Sequence, residues 1–249
     1  MLDDLAIFVI NLDRAADRME RMRERLAGLG LPYTRIEAVD GQQCKFNHSH
    51  VDRTKYASVH GRYVTGAEVA CFMSHFEAMK RFLATDSKFA LILEDDMMFE
   101  DDFLDLLRAL LSDESWDMVK LNGGHRSKSV FVKNVVGRYS LVKDLFHQSK
   151  AGAYLINRHA AMKYLAKLLP MFVPIDHEYI KFWKYGINGF CVLPFPAREE
   201  GSASTIDYEL VRQNRKPMWA KIPTFLYKLW IAMRRVMWVV GRHKPTNSF

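Results

Sequence analysis

Three acids, Glu94, Asp95 and Asp96, follow directly on the apolar run Leu91-Ile92-Leu93. A short apolar run reads as a buried strand of a parallel sheet. Open α/β sheets bind ligands beyond the carboxyl ends of such strands. The pattern therefore delivers carboxylates to the substrate edge of an α/β fold. Hard carboxylate oxygens suit Mg²⁺ or Mn²⁺, and such an ion suits a phosphate. If the strand runs through the acids, Glu94 and Asp96 share one face and can meet the ion together, while Asp95 points away. Taken alone, the triplet fits a solvated acidic loop equally well.

Three further segments carry residues capable of chemistry. Asn11-Leu12-Asp13-Arg14, with Arg18, closes the first apolar run. Backbone N–H groups and a guanidinium there can hold a nucleotide's base, ribose or phosphates; a surface turn with a helix cap explains the segment as well. Glu68, Ser74 and His75 lie in the segment Gly66 to His75. Glu68 suits a helix's first turn, and a lone His on an apolar helix is more often structural than catalytic. Pro174-Ile175-Asp176-His177-Glu178 is the last segment. Its Asp176 can be an N-cap or a base that deprotonates a hydroxyl.

The elements that must position these groups alternate along the chain. Ala6 to Ile10 is a buried strand, Ala15 to Leu29 a helix stopped by Gly30, and Tyr33 to Val39 a second strand. This β-α-β opening is the unit of a parallel sheet. Gln42 to Gly66 is polar, lacks a period and reads as a long loop. Ala67 to Leu83 is an amphipathic helix, followed by the acid-tipped strand and a helix over Asp101 to Leu111. Met118 to Asn122, a hairpin within Val130 to Val142, Ala151 to Ile156 and Phe190 to Leu193 read as strands. Arg158 to Leu169 and Pro174 to Tyr185 read as helices, the latter capped by Asp176.

The 249 residues are 49% hydrophobic and 26% charged, enough for a sizeable core and against disorder. A net charge of +7 favours anionic partners. Cys44, Cys71 and Cys191 are odd in number and lack metal spacing, so they read as reduced thiols of a cytosolic protein. The acidic start is unlike a secretory signal, and no apolar run approaches the ~20 residues of a membrane span.

Residues 210–249 differ from residues 1–209: they hold no acid but many Lys, Arg and aromatic residues. Lys221, Lys228, Arg235 and Arg242 recur every seven residues, in one stripe of a helix, with Leu226, Leu229, Trp230, Met233 and Met237 mostly opposite. That is the pattern of an interfacial anchor on an anionic membrane. The competing reading packs the helix on its own domain and leaves the basic face in water. Nucleic acid is not expected, because the aromatics lie on the apolar side rather than among the basic residues.

Ile10-Asn11-Leu12-Asp13-Arg14 with Asp17-Arg18 resembles the "INLDR…R" opening of glycosyltransferase family 25, the lipooligosaccharide glycosyltransferases that also include the collagen galactosyltransferases. Gly66 to Cys71 with Ser74-His75 is similar to its "GE(V/I)GC…SH" helix, and Leu93 to Asp96 to its "LEDD". Gly152 to Ile156 is similar to its "G…AYLIS" strand, and Pro174 with Asp176 to its "P.D" element. Ala70 stands where the family often has Gly, Asn157 where Ser is common, and Met97-Met98 is soft for the residues after the acids. The resemblance implies an α/β, GT-A-like (Rossmann-like) fold with a mostly parallel sheet flanked by helices, here extended by the basic amphipathic tail. It also implies a nucleotide-sugar donor, usually UDP-galactose or a related hexose, and inversion at the anomeric carbon. Glu94 and Asp96 stand in for the acidic metal motif.

The sequence therefore predicts a hexosyltransferase that uses a UDP-sugar and a saccharide acceptor on a lipid carrier, peripheral on the cytoplasmic membrane face. Asp96 and Glu94 hold Mn²⁺ or Mg²⁺. Asn11, Asp13, Arg14, Arg18, Glu94 and Asp95 seat the donor, with Ser74 and His75 as positioning groups. Asp176 is the first candidate base, ahead of Glu199 and Glu200, and Ser202, Ser204 and Thr205 form a closing loop. An aspartyl-phosphate hydrolase would need Asp-x-Asp-x-Thr where this chain has Asn-Leu-Asp-Arg. A membrane-associated binding protein for a nucleotide or anionic lipid, without turnover, is the non-enzymatic alternative.

Overall fold

A computed structural model describes residues 2–124, 128–145, 150–201 and 222–241. The opening follows the expected β-α-β order: β1 (Leu5–Asn11), α1 (Ala16–Gly28) and β2 (Thr34–Glu37), with β1 and β2 parallel. Then come α2 (Arg53–His60), α3 (Gly66–Leu83), β3 (Phe89–Glu94), β4 (Met97–Phe99), α4 (Phe103–Leu111) and β5 (Met118–Lys120). The hairpin is β6 (Ser129–Val136) and β7 (Tyr139–Asp144), followed by β8 (Ala153–Asn157) and α5 (Arg158–Leu165). Two short helices, α6 (Ile175–Tyr179) and α7 (Phe182–Tyr185), precede β9 (Gly189–Leu193), β10 (Ala197–Glu199) and α8 (Ile222–Gly241).

Eight strands form one sheet in the order β2-β1-β3-β8-β5-β9-β7-β6. Following the pairings across it, β2, β1, β3, β5, β9 and β6 run one way and β8 and β7 the other. The mostly parallel, helix-flanked sheet of the expected GT-A-like architecture is present. Helices cover both faces, which is why β1 and β3 read as unbroken apolar runs. Phe8, Ile10 and Ile92 pack with Val69, Phe72 and Met79 of α3, while Ile7, Val9 and Leu91 pack with Met22 and Leu26 of α1 on the other face. Alternation with period two sends successive side chains to opposite layers, both of them dry.

The polar segment expected to be a loop contains α2. Asp52 caps it, accepting from the Lys55 N–H at 2.9 Å, and Gly61 closes it at φ +76°. Only Tyr56 and Ala57 of this helix are buried, so no apolar period marks it. The excursion closes on a tight neck. A Cβ on Gly41 would fall 2.6 Å from the Gly66 carbonyl carbon, and one on Gly66 would fall 2.6 Å from the Gly41 oxygen. Thr65 and Glu68 then start α3 with reciprocal capping bonds.

The helix expected over Pro174 to Tyr185 is broken into α6 and α7, and Pro174, not Asp176, occupies its cap position. Glu178 of α6 is 2% exposed and accepts from Lys181 Nζ at 2.6 Å, from the Tyr185 hydroxyl at 2.5 Å and from Lys184. Burial alone would raise its pKa, but Lys181 and Lys184 outweigh that and hold it below the usual carboxylate value. Lys181 is itself buried and also donates to the Tyr227 hydroxyl of α8 at 2.8 Å. Glu178→Gln leaves that lysine without its counter-charge, so urea unfolding should show a loss of about 3 kcal/mol. A loss below about 0.5 kcal/mol would mean the cluster is not holding α6.

Helix α8 is the expected C-terminal helix, but it meets the domain by the side that carries Arg235. Thr224, Arg235 and Val239 are its buried residues. Thr224 Oγ1 donates to the Ser58 carbonyl of α2 at 2.7 Å, and the Arg235 guanidinium lies 5.7 Å from the Trp183 ring. The heptad stripe of basic residues is thus not an outward face: Lys228 is exposed and Arg235 is buried. Lys221 and Arg242, and the loop residues Ser202, Ser204 and Thr205, lie outside the described residues.

Candidate functional site

The carboxyl ends of β1 and β3 and the amino end of β8 meet at one edge of the sheet, where a cleft of about 440 Å³ opens. Strand β3 ends at Glu94, and Asp95 and Asp96 occupy the turn before β4. The expected alternation of Glu94 and Asp96 along a strand therefore does not apply. All three acids line the cleft, Asp95 included. Backbone bonds fix the turn from two sides. The Glu94 N–H donates to the Gly152 carbonyl at 2.8 Å, and the Glu200 N–H donates to the Asp96 carbonyl at 2.9 Å. The second bond belongs to a small antiparallel sheet of β4 and β10, in which Glu199 stands opposite Met97. Three-residue strands leave too short a pattern to read from sequence, so this link was not anticipated.

Asp96 is the most perturbed group in the turn. Burial, then the charges of Glu94, Asp95 and Glu199, push its pKa up to about 7. Its Oδ1 is buried and has no hydrogen-bond partner. Arg18 offers modest relief, with Nη1 3.9 Å from Asp96 Oδ2 and 3.4 Å from Asp95 Oδ1. A buried, unpaired carboxylate oxygen among three further carboxylates is a poor resting state and a good ligand set for a divalent cation. Glu94 and Asp96 thus fit the Mg²⁺ or Mn²⁺ expected from sequence.

Cys71, His75 and Glu94 form a second donor group, their ligand atoms within 4.8 Å of one another. Here burial, with Glu94 and Asp176 nearby, pushes the Cys71 thiol well up and keeps its proton on. The soft sulfur and the ring nitrogen suit a softer ion such as Zn²⁺ better than the Mg²⁺ or Mn²⁺ that the acidic turn fits. His75 is 1% exposed and bridges inward. One ring nitrogen is 3.2 Å from Glu94 Oε1 and the other 3.1 Å from the Tyr154 hydroxyl, which is 2.8 Å from that of Tyr179. Ser74 accepts from the Val39 N–H at 2.9 Å and donates to the Ala70 carbonyl at 2.8 Å. Both α3 residues line the cleft, yet their bonds are those of positioning groups.

The other candidates separate by geometry. Arg14 and Arg18 line the cleft, whereas Asn11 and Asp13 are not among its lining residues. Asn11 is 2% exposed; its Nδ2 donates to Asp95 Oδ2 at 2.7 Å, and its Oδ1 accepts from Arg35 at 2.9 Å. It orients an acid from behind. Asp13 is 67% exposed and paired with Arg35. Asp176 and Glu199 line the cleft. Glu200 does not; its carboxylate is engaged by Arg25 at 2.7 Å and Arg21 at 3.1 Å on α1.

Several cleft residues escaped the sequence reading. Lys150 has φ +83°, the only non-glycine residue with positive φ among those described, and such strain concentrates at functional sites. Its N–H donates to Asp176 Oδ2 at 3.2 Å and its Nζ to Glu199 Oε2 at 2.8 Å, so one residue holds both candidate bases. Arg62 and His60 enter from the end of α2. Arg62 pairs with Glu68, whose pKa falls below the usual value because this pairing outweighs burial. Burial, then the charges of His177 and Arg62, presses His60 down to about 3, so it is neutral at pH 7. Only tertiary contact reveals these residues; their local sequence has no motif.

Fold and site define an α/β chain whose strand-end cleft joins a carboxylate turn to Arg14, Arg18 and Arg62, a chemistry suited to an anion chelated through a cation. The chain belongs to glycosyltransferase family 25, described as an LPS biosynthesis protein family, whose model matches residues 4–179. It is 33% identical over 184 residues to a glycosyltransferase 25 family member of Aedes aegypti, covering 70% of this chain and 30% of that one. It is 31% identical over 191 residues to procollagen galactosyltransferase 1-B of Xenopus laevis, covering 69% of this chain and 31% of that one. A Rattus norvegicus relative named probable inactive glycosyltransferase 25 family member 3 is 29% identical over 219 residues, covering 77% and 37%. The chain thus spans about a third of the length of these relatives.

Proposed function

We propose that this chain is an inverting hexosyltransferase that moves a sugar, galactose by preference, from a UDP-sugar to a lipid-linked saccharide such as lipooligosaccharide, at the cytoplasmic face of the membrane. Family membership supports the reaction class. The observation that carries the site is Asp96, buried, unpaired at Oδ1 and lifted to a pKa of about 7. Glu94 and Asp96 would hold Mn²⁺ or Mg²⁺, which supplies Lewis-acid stabilisation of the charge on the departing diphosphate. Arg14 and Arg18 face the same cleft and offer guanidinium donors to phosphate oxygens. Asp176 accepts the proton of the acceptor hydroxyl as its oxygen bonds to the anomeric carbon and the bond to the UDP oxygen breaks on the opposite side. Lys150 fixes the Asp176 carboxylate through its N–H, while His75 orients Glu94.

The likeness to the rat relative named probable inactive favours one second reading, a nucleotide-binding chain without turnover. UDP release from a panel of UDP-sugars, with and without saccharide acceptors and with Mn²⁺ or Mg²⁺, separates the two. The transferase reading expects release that needs both the divalent ion and an acceptor. Donor binding with no release across the panel would replace it with the second reading.

A further inference from the structure

Nine of the thirteen large apolar side chains that stand exposed among the described residues lie on α8. They are 44–67% exposed and include Phe225, Leu229, Trp230, Met233 and Met237. At 3.6 residues per turn they fall within an arc of about 140°. The opposite side of the helix is already docked, through Thr224 on α2 and through Arg235 and Trp238 beside α7. Arg234 edges the apolar arc on one side, and Lys228 stands about 60° beyond its other edge, at the margin of the docked side; both are exposed. Neither α8 nor any residue after Glu209 is acidic. No described helix is long and apolar enough to cross a membrane.

We propose that this outward face of α8 lies in the interface of an anionic lipid bilayer, with the apolar arc among the upper acyl chains and Lys228 and Arg234 at the headgroups. The charge pattern selects the occupant. An apolar stripe edged by cations and free of acids complements a surface that is apolar within and anionic at its rim. A second copy meeting the same face would bring like-charged edges together with no acid on the helix to pair them. The docking also orients the cleft. Ser58 of α2 receives the Thr224 bond, and His60 and Arg62, at and just beyond the end of that helix, line the cleft. The bilayer surface thus lies about one helix diameter, roughly 10 Å, from the α2 wall. For a lipid-linked acceptor, which rests on the function proposed above, the α2 wall is then the side of entry.

The test uses the full chain and vesicles of phosphatidylcholine with or without phosphatidylglycerol, with no donor or acceptor present. Sedimentation should show binding to the anionic vesicles that weakens with added salt. Combining Leu229→Ser, Met233→Ser and Met237→Ser should weaken it at least about tenfold. The thermal midpoint should not move, because all three side chains are exposed. Lys228→Glu with Arg234→Glu should abolish the preference for phosphatidylglycerol. Binding by the serine variant equal to the parent, no binding by the parent, or an unchanged lipid preference after charge reversal would overturn the proposal. So would a lipid-free dimer that the serine variant converts to monomer. UDP release from a UDP-sugar with a soluble acceptor, measured in a separate assay of the same variants, reports on the transferase reading.

Discussion

Asp96→Asn is expected to abolish transfer and, at the same time, to make the metal-free protein more stable at pH 8. The first effect follows from the proposed mechanism, in which Asp96 is an ionic ligand to the cation that would neutralise the leaving diphosphate. Several kcal/mol of transition-state stabilisation correspond to about 10³-fold or more in kcat. The second follows from the pKa of about 7. The unfolded carboxyl releases its proton near 4, so between about pH 4 and 7 the folded state retains a proton that the unfolded chain has given up. Stability due to Asp96 therefore falls as pH rises through that window, and the cost is fully present above it. The main cause is burial, with Glu94, Asp95 and Glu199 adding repulsion. Asn keeps the shape without the charge, and should recover on the order of 2 kcal/mol at pH 8 and almost nothing below pH 4. Thermal unfolding in chelator at the two pH values measures this directly. Mn²⁺ should raise the parent's midpoint at pH 8 and leave the variant's unchanged. Full turnover by the variant, or a variant destabilised at pH 8, would remove Asp96 from the metal site.

Asp176→Asn is the second large effect. A base removed from the acceptor hydroxyl should cost about 10²–10⁴-fold in kcat. Donor affinity should stay within about threefold, because in the proposed mechanism the carboxylate acts on the acceptor rather than the nucleotide. The change is sterically quiet. Asp176 accepts from the N–H groups of Lys150 and His177, and Asn retains a carbonyl that can keep one of those bonds. Steady-state kinetics with calorimetric titration of UDP separates the two quantities. Loss of donor binding alongside kcat would move Asp176 into the donor subsite. Unchanged kcat would pass the role to Glu199, which shares Lys150 as a partner.

The parts of this fold visible in sequence are those with a repeating apolar signal. The runs Ile7 to Ile10 and Ala90 to Leu93 are buried on both faces, and α3 carries a long apolar stripe that begins at a capping box. The acids were legible because they interrupt such a run abruptly. Their division of labour was not, because the strand stops at Glu94 and a turn obeys no alternation. Lys150 was invisible for the same kind of reason, since its importance lies in a backbone angle and two distant carboxylates. The heptad in the tail reads as one basic stripe in sequence, but the orientation of α8 depends on what Arg235 touches, and periodicity does not encode that.

The neck at Gly41 and Gly66 has an evolutionary meaning. Everything between those two residues leaves and re-enters the domain at one point, held by backbone packed against backbone. Lengthening such a closed excursion costs only about 0.6 kcal/mol per doubling, because closure entropy grows with the logarithm of loop size. The strands that carry the acids register against one another without it. The excursion can therefore gain length at its exposed positions at little entropic cost, whereas Val51, Tyr56 and Val64, which pack into the core beside α3, and Arg62, which pairs with Glu68, tie its inner side to the domain.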